Sequence, residues 1–483
     1  METNDRISER FLERLLKFSN FVSTIIILIL SFIFFYSLKN ILIDKTENIS
    51  FFLISSLLSL VLIIFFLFSF SFKRVIRINI SLVLTLSLIL LYSTEIYYLF
   101  NIQKMKNLYL NKTPSEKIRI IKAKKFGVPY DLRSRSEYIK DLEKEKITAY
   151  PIIPPSFGDL LYKGLKVDDE TILPLGGISN ILVVGPNENG FWMEFLSDKY
   201  GFNNDNKSYN HNEIEICLIG DSFGEGLAVK SNENISSILK KKYKTLNFSK
   251  TGNGPLLEYA ILREYVSFFK PKIVLWLYFE NDLSDLSREM KSKTLNKYIE
   301  NKSFSQNLLT KQPDIDSSLK EFFDKKKDKF ENENNPVLRK DFKDYFLRIL
   351  LLRDLRYQLN IQVNKNRPIL NDELELFKTI ITDSENLVSS WGGDLYFVYL
   401  PAFNQGFNIN KQLRPIFLKE NEYRQSVIKI INDLQIDLID IYSEVFLKHP
   451  NPKNLFPFGV YGHYNREGYE IVAKKIESII DSK

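Results

Sequence analysis

The stretch Ile214 to Gly226 reads IEICLIGDSFGEG, and its order of residue types is the one that presents a nucleophile. A strand pattern (Ile214, Ile216, Cys217, Leu218, Ile219) runs into Gly220-Asp221-Ser222. A turn with Gly224 and Gly226 follows, then a helix pattern near Asn234 to Lys242. A hydroxyl placed where a buried parallel strand turns sharply towards a helix is held out of the core, beside free backbone N–H groups. The chemistry open to it is attack on an acyl carbon, given a base within reach and donors aimed at the developing oxyanion.

Three further polar groups follow predicted elements: Ser249-Lys250-Thr251-Gly252-Asn253-Gly254, Glu280-Asn281-Asp282, and Gly462-His463-Tyr464-Asn465 just before the last helix. Parallel sheets bind ligands beyond the carboxyl ends of their strands, so all of these belong to one rim. In the first group, glycine permits close backbone approach and a free N–H; in the second, an amide stands at a strand's end. The chain has three histidines. His211 precedes the first strand, and His449 sits in a Lys-His-Pro-Asn-Pro loop of surface type, which leaves His463 as the base candidate.

The elements that must position these residues follow from apolar patterning. After the opening strand and helix come a short strand at Lys244 to Phe248, a helix at Leu256 to Phe269 and a strand at Ile273 to Tyr278 that is apolar on both faces. Later come helices at Tyr345 to Leu359 and Asp372 to Ser390, a strand at Leu395 to Leu400, a helix at Glu422 to Leu434, a strand at Ile436 to Ile441 and a helix from Arg466 to Ile480. Strands alternating with helices, with nearly continuous apolar runs, imply a parallel sheet covered on both sides. From Ser284 to about Lys343 the chain is rich in Lys, Asn, Asp and Glu. That region reads as a mobile or partly helical insertion able to sit over the site as a lid.

Upstream, three apolar stretches, Phe18 to Leu38, Ile49 to Phe72 and Ile78 to Phe100, are each long enough to cross a bilayer as a helix. The first has too long an apolar run, and no cleavage site, for a removable signal. Arg6, Arg10, Arg14 and Lys17 precede it, and Lys73, Arg74 and Arg77 crowd the second connection, so both should be cytoplasmic and the rest of the chain extracytoplasmic. The expected organisation is a membrane domain at 1–100, a charged helical stalk at 101–150, a small β-rich lead-in at 151–212 after the Pro-rich break Pro151 to Pro155, and the α/β domain at 213–483.

The formal charge of +7 is spread among interleaved acidic residues, which excludes a nucleic-acid-binding stripe. The single cysteine, Cys217, lies in the apolar strand and offers neither an internal disulfide nor a metal cluster. No metal or cofactor signature is present.

Together, Gly220-Asp221-Ser222, Gly252, Asn281 and His463 resemble, in order and placement, the four signature blocks of the SGNH, or GDSL-like, hydrolase family over about Glu213 to Lys483. The resemblance implies a flavodoxin-like three-layer α/β fold with Ser222 as nucleophile and His463 as general base. It also implies an oxyanion hole made by the N–H groups of Ser222 and Gly252 and the side-chain amide of Asn281. Two departures stand out beyond Phe223 in place of leucine. Phe279 stands where the family has glycine before its asparagine, and Val460 and Tyr461 occupy the positions that usually supply an aspartate to the histidine. A backbone carbonyl near Val460, giving a Ser-His dyad, is the favoured orienter. Alternatively a distant acid reaches in, with Asp437, Asp440 and Glu467 as candidates, or activity is low.

The resulting expectation is a membrane-anchored serine esterase acting on acyl esters at the cell envelope. Alternatives are an O-acyltransferase or deacylase modifying a cell-surface polysaccharide, and a non-catalytic glycan-binding or assembly subunit. The expected partners are an acylated carbohydrate or lipid-linked substrate, the membrane, and a membrane acyl-donor protein.

Overall fold

The computed structural model describes residues 2–42, 49–108, 114–167, 170–210, 213–332, 348–352, 355–356, 371–403 and 418–482. They divide into two units: residues 1–108 with 340–368, and residues 109–339 with 369–483.

The first unit is built on the helices α1 (Glu2–Leu42), α2 (Ile49–Ser69) and α3 (Arg74–Leu108). Three spans within them, Glu9–Lys39, Phe52–Ser69 and Arg74–Tyr98, are long and apolar enough to cross a membrane. Phe32, Ile54 and Leu90 are among the large apolar side chains that they leave exposed, as lipid-facing surfaces require. Small hydroxyls knit the helices together: Ser19 Oγ donates to the carbonyl of Arg77 at 2.8 Å. The helix expected at Tyr345 to Leu359 falls mostly outside the described residues. Its described parts, 348–352 and 355–356, belong to this unit and not to the α/β domain.

The second unit opens with α4 (Pro114–Phe126) and α5 (Arg135–Lys144), the latter started by a reciprocal cap between Ser134 and Glu137. These helices do not form a free-standing stalk. Ile120 and Ala123 are buried, and the Lys122 ammonium donates to the carbonyls of Phe458 and Gly459. The charged residues of α4 had hidden an apolar stripe on its inner face.

Then come β1 (Ala149–Pro151), α6 (Gly158–Lys163), the hairpin β2 (Leu165–Val167) and β3 (Glu170–Ile172), β4 (Leu182–Val184) and β5 (Glu194–Leu196). Strands β1, β4 and β5 form a small mixed sheet, β1 parallel and β5 antiparallel to the central β4.

The main sheet comprises β6 (Ile216–Gly220), β7 (Thr245–Asn247), β8 (Ile273–Phe279), β9 (Asp394–Leu400) and β10 (Asp437–Asp440), all parallel, in the order β7-β6-β8-β9-β10. That is the flavodoxin-like order, whose switch point lies between β6 and β8. The intervening helices are α7 (Ser222–Glu225), α8 (Ile235–Leu239), α9 (Pro255–Ile261), α10 (Ser267–Phe269), α11 (Asp282–Glu289), α12 (Lys293–Glu300), α13 (Gln312–Asn332), α14 (Asn371–Ser389), α15 (Leu418–Asp433) and α16 (Arg466–Ile480).

Alternate strand residues face opposite layers. Cys217, Ile219, Trp276 and Phe397 pack on the side of α9, α14 and α15, whereas Ile216, Leu218, Leu275 and Val398 pack on the side of α8 and α16. This gives a three-layer α/β domain.

As far as residue 332, the charged region after β8 takes the helical alternative and packs against the domain. Helices α11 to α13 carry Leu286, Leu295, Tyr298, Ile315 and Leu319 into the core. Gln306 bonds to both the N–H and the carbonyl of Leu173, and Asp316 accepts from Ser179. Its Lys, Asp and Glu residues cover only the outer faces of these amphipathic helices. Residues 333–343 of the expected insertion lie outside the described residues.

Candidate active site

Strand β6 delivers its chain into a turn that leaves Ser222 at the carboxyl rim. Asp221 caps the short helix that follows, its Oδ1 accepting from the N–H of Phe223 at 2.8 Å. Glycine is obligatory at 224, where a Cβ would lie 2.2 Å from Ser249 Oγ. Gly226 closes the turn at φ +86°, a left-handed conformation that glycine adopts without strain.

The Ser222 hydroxyl lies 2.9 Å from His463 Nε2 and 3.2 Å from Asp221 Oδ2. The other ring nitrogen, Nδ1, lies 3.1 Å from Glu188 Oε1, and the backbone N–H of His463 donates to Glu188 Oε2 at 2.8 Å. Glu188 therefore grips His463 by both ring and backbone. Gly462 makes the grip possible, since a Cβ there would meet Glu188 Oε2 and Arg119 Nη2, each at 2.4 Å.

Glu188 comes from the loop between β4 and β5, not from the vicinity of His463. Its neighbours pin that loop: Asn187 Nδ2 donates to the carbonyl of Asp131, and Asn189 Nδ2 donates to that of Ala228. Arg119, on α4 and only 5% exposed, pairs with Glu188 at 3.5 Å and donates to the carbonyl of Tyr461 at 2.6 Å. Burial pushes the Glu188 carboxyl up, but the His463 ring and N–H together with the Arg119 guanidinium outweigh it and hold the group down at about 2. A carboxylate only accepts, so in the neutral imidazole the proton sits on Nδ1 and the Nε2 lone pair faces Ser222.

The other expected orienters stand elsewhere. Asp440 is paired with Arg424 and accepts from Ser443, and Asp437 and Glu467 have no bond to the ring. No backbone carbonyl near Val460 takes the Nδ1 position, which Glu188 fills. His449 accepts at Nδ1 from the N–H of Asn451 within its own loop, and His211 lies outside the described residues.

Asn281, following β8, lines the same cavity as Ser222 and His463, about 440 Å³ in volume. Its amide donates to Asp285 Oδ2 at 2.7 Å, which fixes the side chain and leaves its second N–H for another acceptor. Phe279, where the family has glycine, stacks on Phe223 with ring centroids 4.0 Å apart, and Phe223 lies 4.8 Å from the His463 ring. Gly252 has φ +78° and abuts Ser156; it does not line the cavity itself. Its loop is tied to the Ser222 turn by the buried Glu225, which accepts from the N–H of Thr251 at 2.8 Å and pairs with the buried Lys250 at 2.8 Å. Among the described residues, none lining the cavity comes from 284–332.

Behind the rim lies a group of buried carboxyls. Burial pushes Asp221 up to about 6 and Glu289 up to about 8, and raises Glu258 and Asp282 well above the ordinary range, mutual repulsion adding to the effect. Glu258 makes no hydrogen bond of good geometry, the Trp276 indole N–H being the side-chain donor that acts on it. A carboxyl whose folded value is raised contributes stability that is complete below its unfolded value and is lost as pH rises through the folded one. Glu258→Gln, which keeps the shape and removes the titration, should therefore leave the thermal midpoint nearly unchanged at pH 4–5. It should raise the midpoint increasingly towards pH 8, by up to about 1.4 kcal/mol of stability per pH unit gained. An equal shift at both pH values would contradict this reading. Glu188, held low, works in the opposite sense, its stabilisation being full above pH 4.5 and lost as pH falls towards 2.

No family model and no curated protein sequence matches the chain. Solved structures similar to it include a GDSL-like lipase from Bacteroides thetaiotaomicron (12% identity, 57% of this chain and 95% of that one, TM-score 0.31) and a lipase/acylhydrolase from Enterococcus faecalis (13% identity, 56% and 96%, TM-score 0.31). An acetyl xylan esterase is also similar, at 13% identity over 55% of this chain and all of that one, with a TM-score of 0.30.

Proposed function

We propose that this chain is a membrane-anchored serine esterase that cleaves acyl esters through an acyl-Ser222 intermediate, with His463 as base and Glu188 as its orienter. The observation that carries this reading is the unbroken series Ser222 Oγ, His463 Nε2, His463 Nδ1 and Glu188 Oε1, with contacts of 2.9 and 3.1 Å at the edge of a polar cavity.

The chemistry runs as follows. His463 Nε2 takes the hydroxyl proton as Ser222 Oγ bonds to the ester carbonyl carbon, whose oxygen becomes the oxyanion. The N–H of Ser222 and the Asn281 amide, which line the cavity, are the donors assigned to that charge, and the Gly252 N–H would join them only if its loop, tied to the Ser222 turn through Glu225, moved towards the cavity. The C–O bond to the leaving alcohol then breaks, and the alcohol departs with the proton from His463. Water repeats the sequence on the acyl-serine and releases the acid; a sugar hydroxyl in its place would receive the acyl group instead.

The cavity's mixture of polar groups with the exposed Tyr461 suits an acylated carbohydrate, whose hydroxyls need partners and whose C–H faces stack on aromatic rings. The flanking cations support an extracytoplasmic catalytic unit, where a membrane acyl-donor protein or a lipid-linked substrate would be met. The missing aspartate before His463 had favoured a non-catalytic subunit, and Glu188 removes that argument. The test is p-nitrophenyl acetate turnover by the full chain in detergent, with an acceptor oligosaccharide added. Free acetate identifies an esterase and acetylated sugar a transferase; neither product would refute the proposal.

A further inference from the structure

Glu95 is fully buried although it stands three residues before the end of the third apolar span, Arg74–Tyr98. Ionisable side chains at such depths are costly and are kept where they hold a specific partner. Here one partner is the backbone of another part of the chain: Glu95 Oε2 accepts from the N–H of Leu355 at 2.7 Å. One turn earlier on α3, the Tyr92 hydroxyl donates to the carbonyl of Leu350 at 3.3 Å. Two polar groups at the end of a membrane span thus clasp a segment some 260 residues further along the chain.

That segment, 348–356, reads RILLLRDLR. Leu350 and Leu351 are 49% and 56% exposed, although both are large and apolar and neither faces the protein core. They stand beside α3 at the level of Leu90, Leu91 and Tyr97, which face outward themselves. Arginines occur at 348, 353 and 356. Leucines beside a span's end, bracketed by arginines, are the composition of a segment lying in the headgroup region, its apolar residues in the acyl boundary and its cations among phosphates. Leu350 and Leu351 are exposed at the depth of the last turns of an apolar span, which names their occupant as the bilayer.

We infer that residues 348–352 form a second membrane attachment, an interfacial segment clamped to the third span by Tyr92 and, through the nearby Leu355, by Glu95, and inserting Leu350 and Leu351 into lipid. The catalytic unit is then joined to the bilayer at two places far apart in sequence, before Pro114 and between α13 and α14. This inference does not depend on the proposed chemistry.

The experiment uses the full chain in phosphatidylcholine vesicles, with an environment-sensitive nitrobenzoxadiazole label on a single introduced cysteine. The native Cys217 is wholly buried, and the chain without an introduced cysteine serves as the labelling blank. A label at Leu351→Cys should emit to the blue of one at Lys325→Cys, an exposed position on α13. Nitroxide carried near the lipid headgroup should quench it, whereas the label at 325 should not respond. Emission and quenching at 351 equal to those at 325 would overturn the attachment. Glu95→Gln keeps an acceptor for Leu355 and should preserve the shift, whereas Glu95→Leu should reduce it. An unchanged shift in Glu95→Leu would overturn the clamp.

Discussion

Ser222→Ala should abolish acyl-ester hydrolysis, with an expected loss on the order of 10⁶ in kcat, the scale on which serine triads respond to loss of the nucleophile. The effect is large because each remaining group acts through this oxygen. His463 would have no proton to take, and the donors assigned to the oxyanion would face a carbonyl that is never attacked. The fold should not suffer, since the local turn is held by Asp221, Gly224 and Gly226 and not by the hydroxyl. The check is p-nitrophenyl acetate turnover by the two proteins at matched thermal midpoints. Turnover retained within tenfold would remove Ser222 from the mechanism.

Glu188→Gln should cost about 10⁴ in kcat with little change in KM, the magnitude found when a triad acid is replaced by its amide. The ionised carboxylate only accepts, which keeps the imidazole proton on Nδ1 and the lone pair on Nε2. An amide can turn its NH₂ towards Nδ1, and the proton then moves to Nε2, where it faces Ser222 and blocks the transfer. The substitution also leaves the buried Arg119 without its counter-charge. Removing one partner of a buried pair costs about 3–5 kcal/mol, so the variant should unfold earlier as well. Glu188→Asp separates the two effects. It restores the charge beside Arg119 at a shorter reach and should recover stability more fully than turnover. A Glu188→Gln protein of ordinary kcat would place the orienter elsewhere.

The sheet was legible because its three central strands, β6, β8 and β9, are apolar runs of the kind that a doubly covered parallel strand needs, and the order of strands and helices prescribes the crossovers. The meeting of Ser222 and His463 was legible for the same reason, both standing where the chain leaves the carboxyl rim. Glu188 was not. It lies 34 residues before Ser222 in a Pro-Asn-Glu-Asn-Gly loop between two three-residue strands, where no periodicity relates it to the rim. The available signal was indirect: the positions before His463 hold Val460 and Tyr461, so a carboxylate had to arrive from elsewhere.

Arg119 was hidden by composition. The run SEKIRIIKAKK reads as a solvated charged helix, yet Arg119, Ile120 and Ala123 lie on its buried face. The consequence is practical, because a soluble fragment begun at residue 126 would lack Arg119 and leave Glu188 without that cation. Charge likewise disguised α11 to α13, whose inward leucines and isoleucines recur at helical spacing among lysines and aspartates. The run after residue 345 could not be assigned by pattern alone. Leucines alternating with arginines fit a core helix and an interfacial one equally well, and only its bonds to Tyr92 and Glu95 distinguish them.

The central claim is that Ser222 is activated by an oriented imidazole, and a fluorophosphonate tests this most directly because it reacts with activated serines whatever the natural acyl group. A single adduct is expected on Ser222 in the full chain, identified by mass spectrometry of the peptide, absent in His463→Ala and formed far more slowly in Glu188→Gln. An adduct formed at the same rate in His463→Ala, or no adduct on Ser222 at all, would contradict it.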